Sequence, residues 1–305
     1  MPAYNASRYI GEAIDSVIKQ TYANWELLII DDGSTDTTAV IAKQYVAQDS
    51  RVHYLYQRNA KQGRARNNGI AHAKGSLIAF LDADDLWLSH KLQVQITALQ
   101  ETKVDLVFSE SYVFQQHYNP AQAHEILLGG SGRYEGPASI AELAKHNLIP
   151  ILTVLVDKNR LLQAGGFEES TIIQYGEDYH LWLKLLLQGA VFLGLKEPLA
   201  AYRLSPTSAT AADNQNLHQM IAGIDKLSNQ FPKHAKILRL GIRQHILRTD
   251  MYVLPSLDDE HYFATIAKHL SWIDRRHFLP VFSSLKVFRA RKVALRTLYF
   301  ILNHT

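Results

Sequence analysis

The sequence predicts an α/β fold, a mainly parallel sheet flanked by helices and followed by a helical C-terminal extension. Three observations carry this. Short apolar runs alternate with segments of helical spacing, the pattern of right-handed strand–helix–strand crossovers. The runs Leu27 to Ile30 and Leu77 to Leu81 are apolar at every position, as expected of strands covered on both faces. Both runs end in carboxylates, Asp31 and Asp32 after the first, then Asp82, Asp84 and Asp85 after the second. In open sheets of this kind ligands bind at the carboxyl ends of the strands.

The elements follow in order. Ile10, Ala13, Ile14 and Val17 recur at helical spacing, so Ser7 to Lys19 reads as an amphipathic helix. Trp25 to Asp32 is a strand that turns at Gly33. Ser34 to Gln48 is a helix with Ser34 or Thr35 as its cap. Arg51 to Gln57 is a second strand, and Gly63 to Gly75 a short helix closed by its last glycine. Ser76 to Leu81 is a third strand, Leu88 to Gln100 a helix and Val104 to Phe114 another strand. Asn119 to Gly136 lacks periodicity and reads as a surface loop. Gly176 to Gly189 is a strong helix, and from about Leu217 the pattern is mostly helical. The expected organisation is a domain over 1–210 and a helical region over 211–305. The sheet logic also asks for a strand before "PAYN", where only Met1 stands, so Met1 is expected to be an internal methionine of a longer chain.

Composition excludes several classes. With 305 residues, 47% hydrophobic and 20% charged, the chain can bury a sizeable core. It has no cysteine, hence neither a disulfide framework nor a thiolate metal site. The net charge of +3 is too small to argue for nucleic acid. The longest apolar stretch, Leu148 to Val156, is interrupted by Pro150 and falls far short of the ~20 residues of a spanning helix. From Arg275 onward there is no acid, and basic residues alternate with aromatics. This predicts contact with an anionic membrane surface, against the alternative of a helix packed on the domain with its basic residues outward.

Two carboxylates one residue apart at a strand end, as in "LDADD", suit a hard divalent ion that keeps positions open for phosphates. A solvated turn is the plainer reading of that motif alone, and a second acidic pair at the same edge weighs against it.

Four motifs in this order resemble the family 2 glycosyltransferases, which have the Rossmann-like GT-A fold. They are "MPAYNASRYIGEAIDSVIKQTYANWELLIIDDGSTD", "RNAKQGRARNNGIAHAKGSLIAFLDADD", "AGGF" followed by "YGEDYHLWLKL", and "YRLSPTSAT". The resemblance covers about residues 1–210. It implies inverting transfer of a sugar, of hexosyl or N-acetylhexosaminyl type, from a nucleoside diphosphate to a hydroxyl of a glycan or lipid-linked acceptor. The implied setting is bacterial cell-surface polysaccharide synthesis, in the cytoplasm or peripherally on the cytoplasmic face of the inner membrane.

By resemblance, Pro2, Tyr4, Asn5, Asp32, Arg66, Asp82 and Arg203 bind the nucleotide-sugar. Asp84, with Asp82, binds Mn²⁺ or Mg²⁺. Asp178, with Glu177 second, is the general base, and Gly165, Gly166 and Phe167 shape the acceptor pocket. Ser205 stands where relatives often have a histidine, which leaves Arg203 to neutralise the diphosphate. Trp182 reads as core and His180 as structural. A haloacid-dehalogenase-like phosphohydrolase is the rival enzyme, but it needs Ser or Thr where Leu86 stands. A non-catalytic nucleotide-sugar binding protein is the other alternative, and the presence of both Asp178 and the paired acids argues against it.

Overall fold

The computed structural model describes residues 1–121, 125–127, 129–174, 176–204, 213–242 and 244, with backbone only for 213–218. Ser205 and the basic segment from Arg275, and with them the membrane expectation, lie outside the described residues.

The chain opens with β1 (Pro2–Ala3), α1 (Ile10–Ile18), β2 (Leu27–Asp31), α2 (Thr38–Gln48), β3 (Val52–Tyr56) and α3 (Lys61–His72). Strands β1, β2 and β3 form a parallel sheet in that order, with Pro2 opposite Ile30 and Leu27 opposite Val52. The alternation read from the sequence is therefore realised here. Ile10, Ala13, Ile14 and Val17 of α1 are all buried, against a core that includes Ile29 and Trp87. Each of the two isoleucines and the valine removed from water contributes ~1.5–3 kcal/mol. Helix α3 stops at His72, before the glycine expected to close it. The amides of Lys74 and Gly75 are instead held by Glu26 Oε1 at 2.6 and 3.0 Å, which turns the chain into the next strand.

The rest comprises β4 (Leu77–Ala79), β5 (Leu86–Trp87), α4 (Lys91–Thr102), β6 (Leu106–Phe114), β7 (Ile126–Leu127), β8 (Gly132–Tyr134), α5 (Gly136–Leu143), β9 (Leu155–Asp157), α6 (Lys158–Ala164), α7 (Glu177–Leu187), β10 (Phe192–Arg203) and α8 (Asp213–Gln230). A second sheet runs β4–β9–β6–β10–β5, with β7 on β6 and β8 on β10. It is mixed: β10 lies parallel to β6, whereas β9 is antiparallel to both β4 and β6, and β5 is antiparallel to β10. The segment expected to be featureless loop thus contributes β7 and β8 to the sheet margins. Helix α7 lies in the larger core, where Leu181, Trp182, Leu183 and Leu185 meet Phe108, Phe192, Ile224 and Leu227.

A cavity of about 690 Å³ lies between the two sheets. Leu28 and Ile30 of β2, Ile70 of α3, and Ile78 and Ala79 of β4 line it. Among the described residues no helix is long and apolar enough to cross a membrane.

Candidate active site

The loop after β1 is tied to the loop after β2. Asn5 takes a left-handed backbone, φ 49°, which asparagine tolerates better than most residues. Its Oδ1 accepts from Thr35 N at 2.8 Å, and its own N–H donates to Ser34 Oγ at 3.0 Å. Pro2, half-buried, lines the inter-sheet cavity, and Tyr4 stands exposed beside the loop.

Asp31 and Asp32 are both buried at the end of β2 and do different work. Asp31 closes its own turn, accepting from Ser34 N at 2.8 Å and from the Tyr54 hydroxyl at 2.6 Å. Asp32 reaches across to the start of α3. Its Oδ1 accepts from Gln57 Nε2 (2.7 Å) and Ala60 N (2.8 Å), and its Oδ2 accepts from Lys61 N (2.8 Å). Asp32 therefore caps α3 from a neighbouring strand, and it holds Lys61 at φ 70°, an unusual value for a side-chain-bearing residue. A carboxylate offers about four acceptor positions, so one on Oδ2 remains for a ligand N–H or hydroxyl.

Arg66, one turn into α3, joins the two acidic groups of the site. Its Nη2 donates to Asp82 Oδ1 at 2.8 Å and its Nη1 to Glu177 Oε1 at 2.5 Å. Burial alone would lower its pKa, but the charges of Asp82 and Glu177 outweigh that and hold the guanidinium protonated. Its Nε, also buried, has no partner among the described residues. The Phe167 ring lies 5.5 Å beneath the cation.

The turn after β4 crowds its carboxylates. Asp84 is pushed up to about 6, first by burial and then by Asp82. Asp85 is raised well above the usual carboxylate range by burial, Asp84 and Asp82, and its Oδ1 accepts from Arg203 N at 2.8 Å. Arg203 departs from expectation. Its side chain is fully buried between the rings of Tyr9 and Phe114, at 4.2 and 4.4 Å. Nε donates to the Asp84 carbonyl (2.7 Å), Nη2 to Glu12 Oε2 (2.6 Å) and Nη1 to the Gln116 carbonyl. In this structure it braces the acidic turn, with its donors engaged by protein acceptors.

Helix α7 begins with the other two acids. Glu177 is buried in its pair with Arg66, whereas Asp178 is half-buried and makes no ion pair among the described residues. Its Oδ1 accepts from Tyr179 N at 2.6 Å, and its Oδ2 from Asn147 Nδ2 at 3.4 Å. Burial raises Asp178, Arg66 and these hydrogen bonds pull it back, and the balance stays above the usual carboxylate value. Gly165 and Gly166 follow α6 in left-handed conformations, φ 79° and 70°. Phe167 is buried against Phe80 and Trp182, so of the "AGGF" motif the glycines turn the chain and the ring belongs to the core under Arg66. Trp182 is fully buried, as expected. His180 is buried, with both ring nitrogens unpartnered among the described residues, and burial lowers it to about 4.

The sequence model of the family described as "Glycosyl transferase family 2" matches residues 1–170, more than half the chain. The chain belongs to glycosyltransferase family 2. This family 2 glycosyltransferase is 35% identical over 256 residues to Escherichia coli WfgD, named as a UDP-Glc:α-D-GlcNAc-diphosphoundecaprenol β-1,3-glucosyltransferase, covering 80% of this chain and 93% of that one. It is 33% identical over 213 residues to Bacillus subtilis TuaG, a glycosyltransferase named for teichuronic acid biosynthesis, covering 69% and 79%. The fold matches S. aureus TarS 1–349 in complex with UDP-GlcNAc, at TM-score 0.70 and 16% identity over 99% of this chain and 90% of that one. It also matches a Pyrobaculum calidifontis mannosyltransferase in complex with GDP-Man and Mn²⁺, at TM-score 0.59 and 16% identity over 98% and 83%.

Within this family 2 glycosyltransferase the fold brings Asp82, Arg66, Glu177 and Asp178 into one cluster, across more than a hundred residues of sequence. Asn147 and Glu12 belong to the same network and were not anticipated. Neither is singled out by a motif as a site residue, and only the tertiary fold brings each to its partner. Among the described residues no three carboxylates or histidines form a ready metal cage. Two carboxylates, Asp82 and Asp84, would supply only part of the oxygen shell of a divalent ion. Asp84 is raised first by burial and then by Asp82, and Arg203 offsets only part of this.

Proposed function

We propose that this chain transfers a hexosyl or N-acetylhexosaminyl group, with inversion, from a nucleoside-diphosphate sugar to a hydroxyl of a lipid-linked glycan in cell-surface polysaccharide synthesis. The observation carrying this reading is the Asp82–Arg66–Glu177 bridge, which fixes the acidic turn against the start of α7, with Asp178 half-buried beside it and outside the pair. The names of WfgD and TuaG, with 93% and 79% of their lengths covered, support the lipid-linked acceptor and the polysaccharide setting.

In this mechanism Tyr4, Asn5 and the free position on Asp32 receive the nucleoside. Asp82 and Asp84 would hold a divalent cation, whose charge stabilises the departing diphosphate when it is bound. Asp178 takes the proton of the acceptor hydroxyl as its oxygen attacks the anomeric carbon. The bond from that carbon to the diphosphate oxygen breaks on the opposite face, and the nucleoside diphosphate leaves with the electron pair. A base pKa raised above the ordinary carboxylate value suits proton abstraction near neutral pH. Arg66 occupies Glu177 in a buried pair and opposes the burial that raises it to about 7, so Glu177 is engaged while Asp178 is left to act on the acceptor.

A lipid-linked acceptor would place the protein at the cytoplasmic face of the membrane as a peripheral enzyme. The test is a panel of UDP-, GDP- and dTDP-sugars against a synthetic GlcNAc-diphospholipid, with the anomeric configuration of the product read by NMR. Retention of configuration, or no transfer from any donor, overturns the reading.

A further inference from the structure

The structure assigns Asn67 a role that neither the motifs nor the mechanism above requires: it is a positioning residue that locks the turn of Gly165 to Phe167 onto the helix that carries Arg66. This rests on reading that turn as the acceptor side of the site.

The lock has two hydrogen bonds of opposite sense to one backbone residue. Asn67 Oδ1 accepts from Phe167 N at 2.8 Å, and Asn67 Nδ2 donates to Phe167 O at 2.9 Å. The second N–H of the amide goes to Glu169 Oε1, also at 2.9 Å. A planar amide is the side chain whose donor and acceptor can both reach the backbone of one residue in this way.

The surroundings are shaped to the lock. Gly166 is left-handed at φ 70°, and a Cβ there would collide with Asn67 Oδ1. Four residues before Asn67 on the same face of α3, a Cβ on Gly63 would lie 2.7 Å from the Glu168 carbonyl oxygen. Arg66, between them, sits over the Phe167 ring and pairs with Glu177. One helical face therefore grips residues 166–169 and the start of α7 together. The donor-side acid Asp82 hangs from the same Arg66. A shift of the turn against α3 would change the distance between acceptor and donor without touching either nucleotide or base.

The variants are Asn67→Ala and Asn67→Asp. The aspartate keeps the size but, when ionised, faces the Phe167 carbonyl and Glu169 with no donor. When protonated it regains one donor and one acceptor, as the backbone pair needs. The first measurement is hydrogen exchange over residues 164–170 in the free full-length protein, which needs no substrate. Both variants should exchange at least about ten-fold faster there at neutral pH, with residues 61–72 little changed. The second is kinetics with UDP-glucose and a GlcNAc-diphospholipid as probes. The acceptor KM should rise about ten-fold or more and the donor KM should stay within about two-fold. Relative to wild type at each pH, the Asn67→Asp defect should shrink as pH falls, and that of Asn67→Ala should not.

Unchanged exchange overturns the lock. Faster exchange with donor and acceptor KM rising together, or with no acid rescue of Asn67→Asp, reduces Asn67 to a fold element and overturns the positioning role. A wild type inactive on every probe overturns the functional reading, and the exchange result then shows whether the lock survives it.

Discussion

At the scale of single residues, the site separates two adjacent acids by their environment. Burial raises both, Glu177 to about 7, but Glu177 is tied to Arg66 whereas Asp178 makes no ion pair among the described residues. Asp178→Asn should leave donor affinity nearly unchanged and lower kcat by ~10²–10⁴-fold, the usual contribution of a general base. Donor affinity is read by nucleotide-sugar titration and turnover by product release. The opposite pattern, with Glu177→Gln inactive and Asp178→Asn active, would reassign the base. Arg203 makes a second residue-scale prediction. Arg203→Lys keeps the charge but loses the fork that holds Asp84 O, Gln116 O and Glu12 at once. It should lower the melting temperature and weaken donor binding together, because the acidic turn is no longer braced. Weak donor binding at an unchanged melting temperature would return Arg203 to direct contact with the diphosphate.

At the scale of elements, α3 is the structural hub, and its two interior glycines test that. A glycine inside a helix costs roughly 0.5–1 kcal/mol relative to alanine. At Gly69 an added Cβ meets Ile30 Cγ1 at 3.4 Å, an ordinary contact, so Gly69→Ala should stabilise by about that amount. At Gly63 it meets the backbone oxygen of Glu168 at 2.7 Å, which cannot move without the following turn. Gly63→Ala should destabilise by ~1–3 kcal/mol, the usual cost of overpacking. Denaturant melts of both variants check the pair, and equal effects would mean that α3 does not press on the turn. The same contrast shows what was legible in the sequence. Strand β2 and its flanking helix α1 could be read because the run Leu27 to Ile30 and the helical spacing of α1 are uninterrupted, whereas β1 is only Pro2–Ala3 and the strand is expected upstream of that loop. Strand β10 could not: Lys196, Glu197 and Pro198 break its pattern midway, and the register against β6 shifts on either side of Pro198. Strand β9 spans three residues, too few for any period to show. Asp82, Asp84, Glu177 and Asp178 were legible as acids at element ends, but the bridge through Arg66 and the burial of Arg203 arise only from the packing of distant segments.

At the scale of the whole molecule, the acidic turn contributes to how stability responds to pH and to cations. Asp84 has its pKa raised from the ordinary 3.8 to about 6, and Asp85 is raised well above the same starting value. Between the ordinary and the raised values the folded protein keeps protons that the unfolded chain has released. The contribution of these groups is fully present below the ordinary carboxylate pKa, and that of Asp84 is lost as pH climbs through about 6. His180 works in the other sense. Lowered to about 4, it makes the folded state hold fewer protons than the unfolded one up to the ordinary value of 6.5, so stability from this group grows with pH across that window. The two trends overlap, and a divalent cation separates them. An ion held by Asp82 and Asp84 competes with protons for those carboxylates, and binding to the folded state alone adds stability by mass action. Saturating Mn²⁺ should therefore raise the melting temperature more at about pH 8 than at about pH 5, where Asp84 is largely protonated. The His180 trend should be the same with and without the ion. Asp84→Asn should abolish the Mn²⁺ effect at both pH values and lower transfer activity sharply. A Mn²⁺ shift of equal size at both pH values, or one that survives in Asp84→Asn, would place the ion elsewhere on the protein.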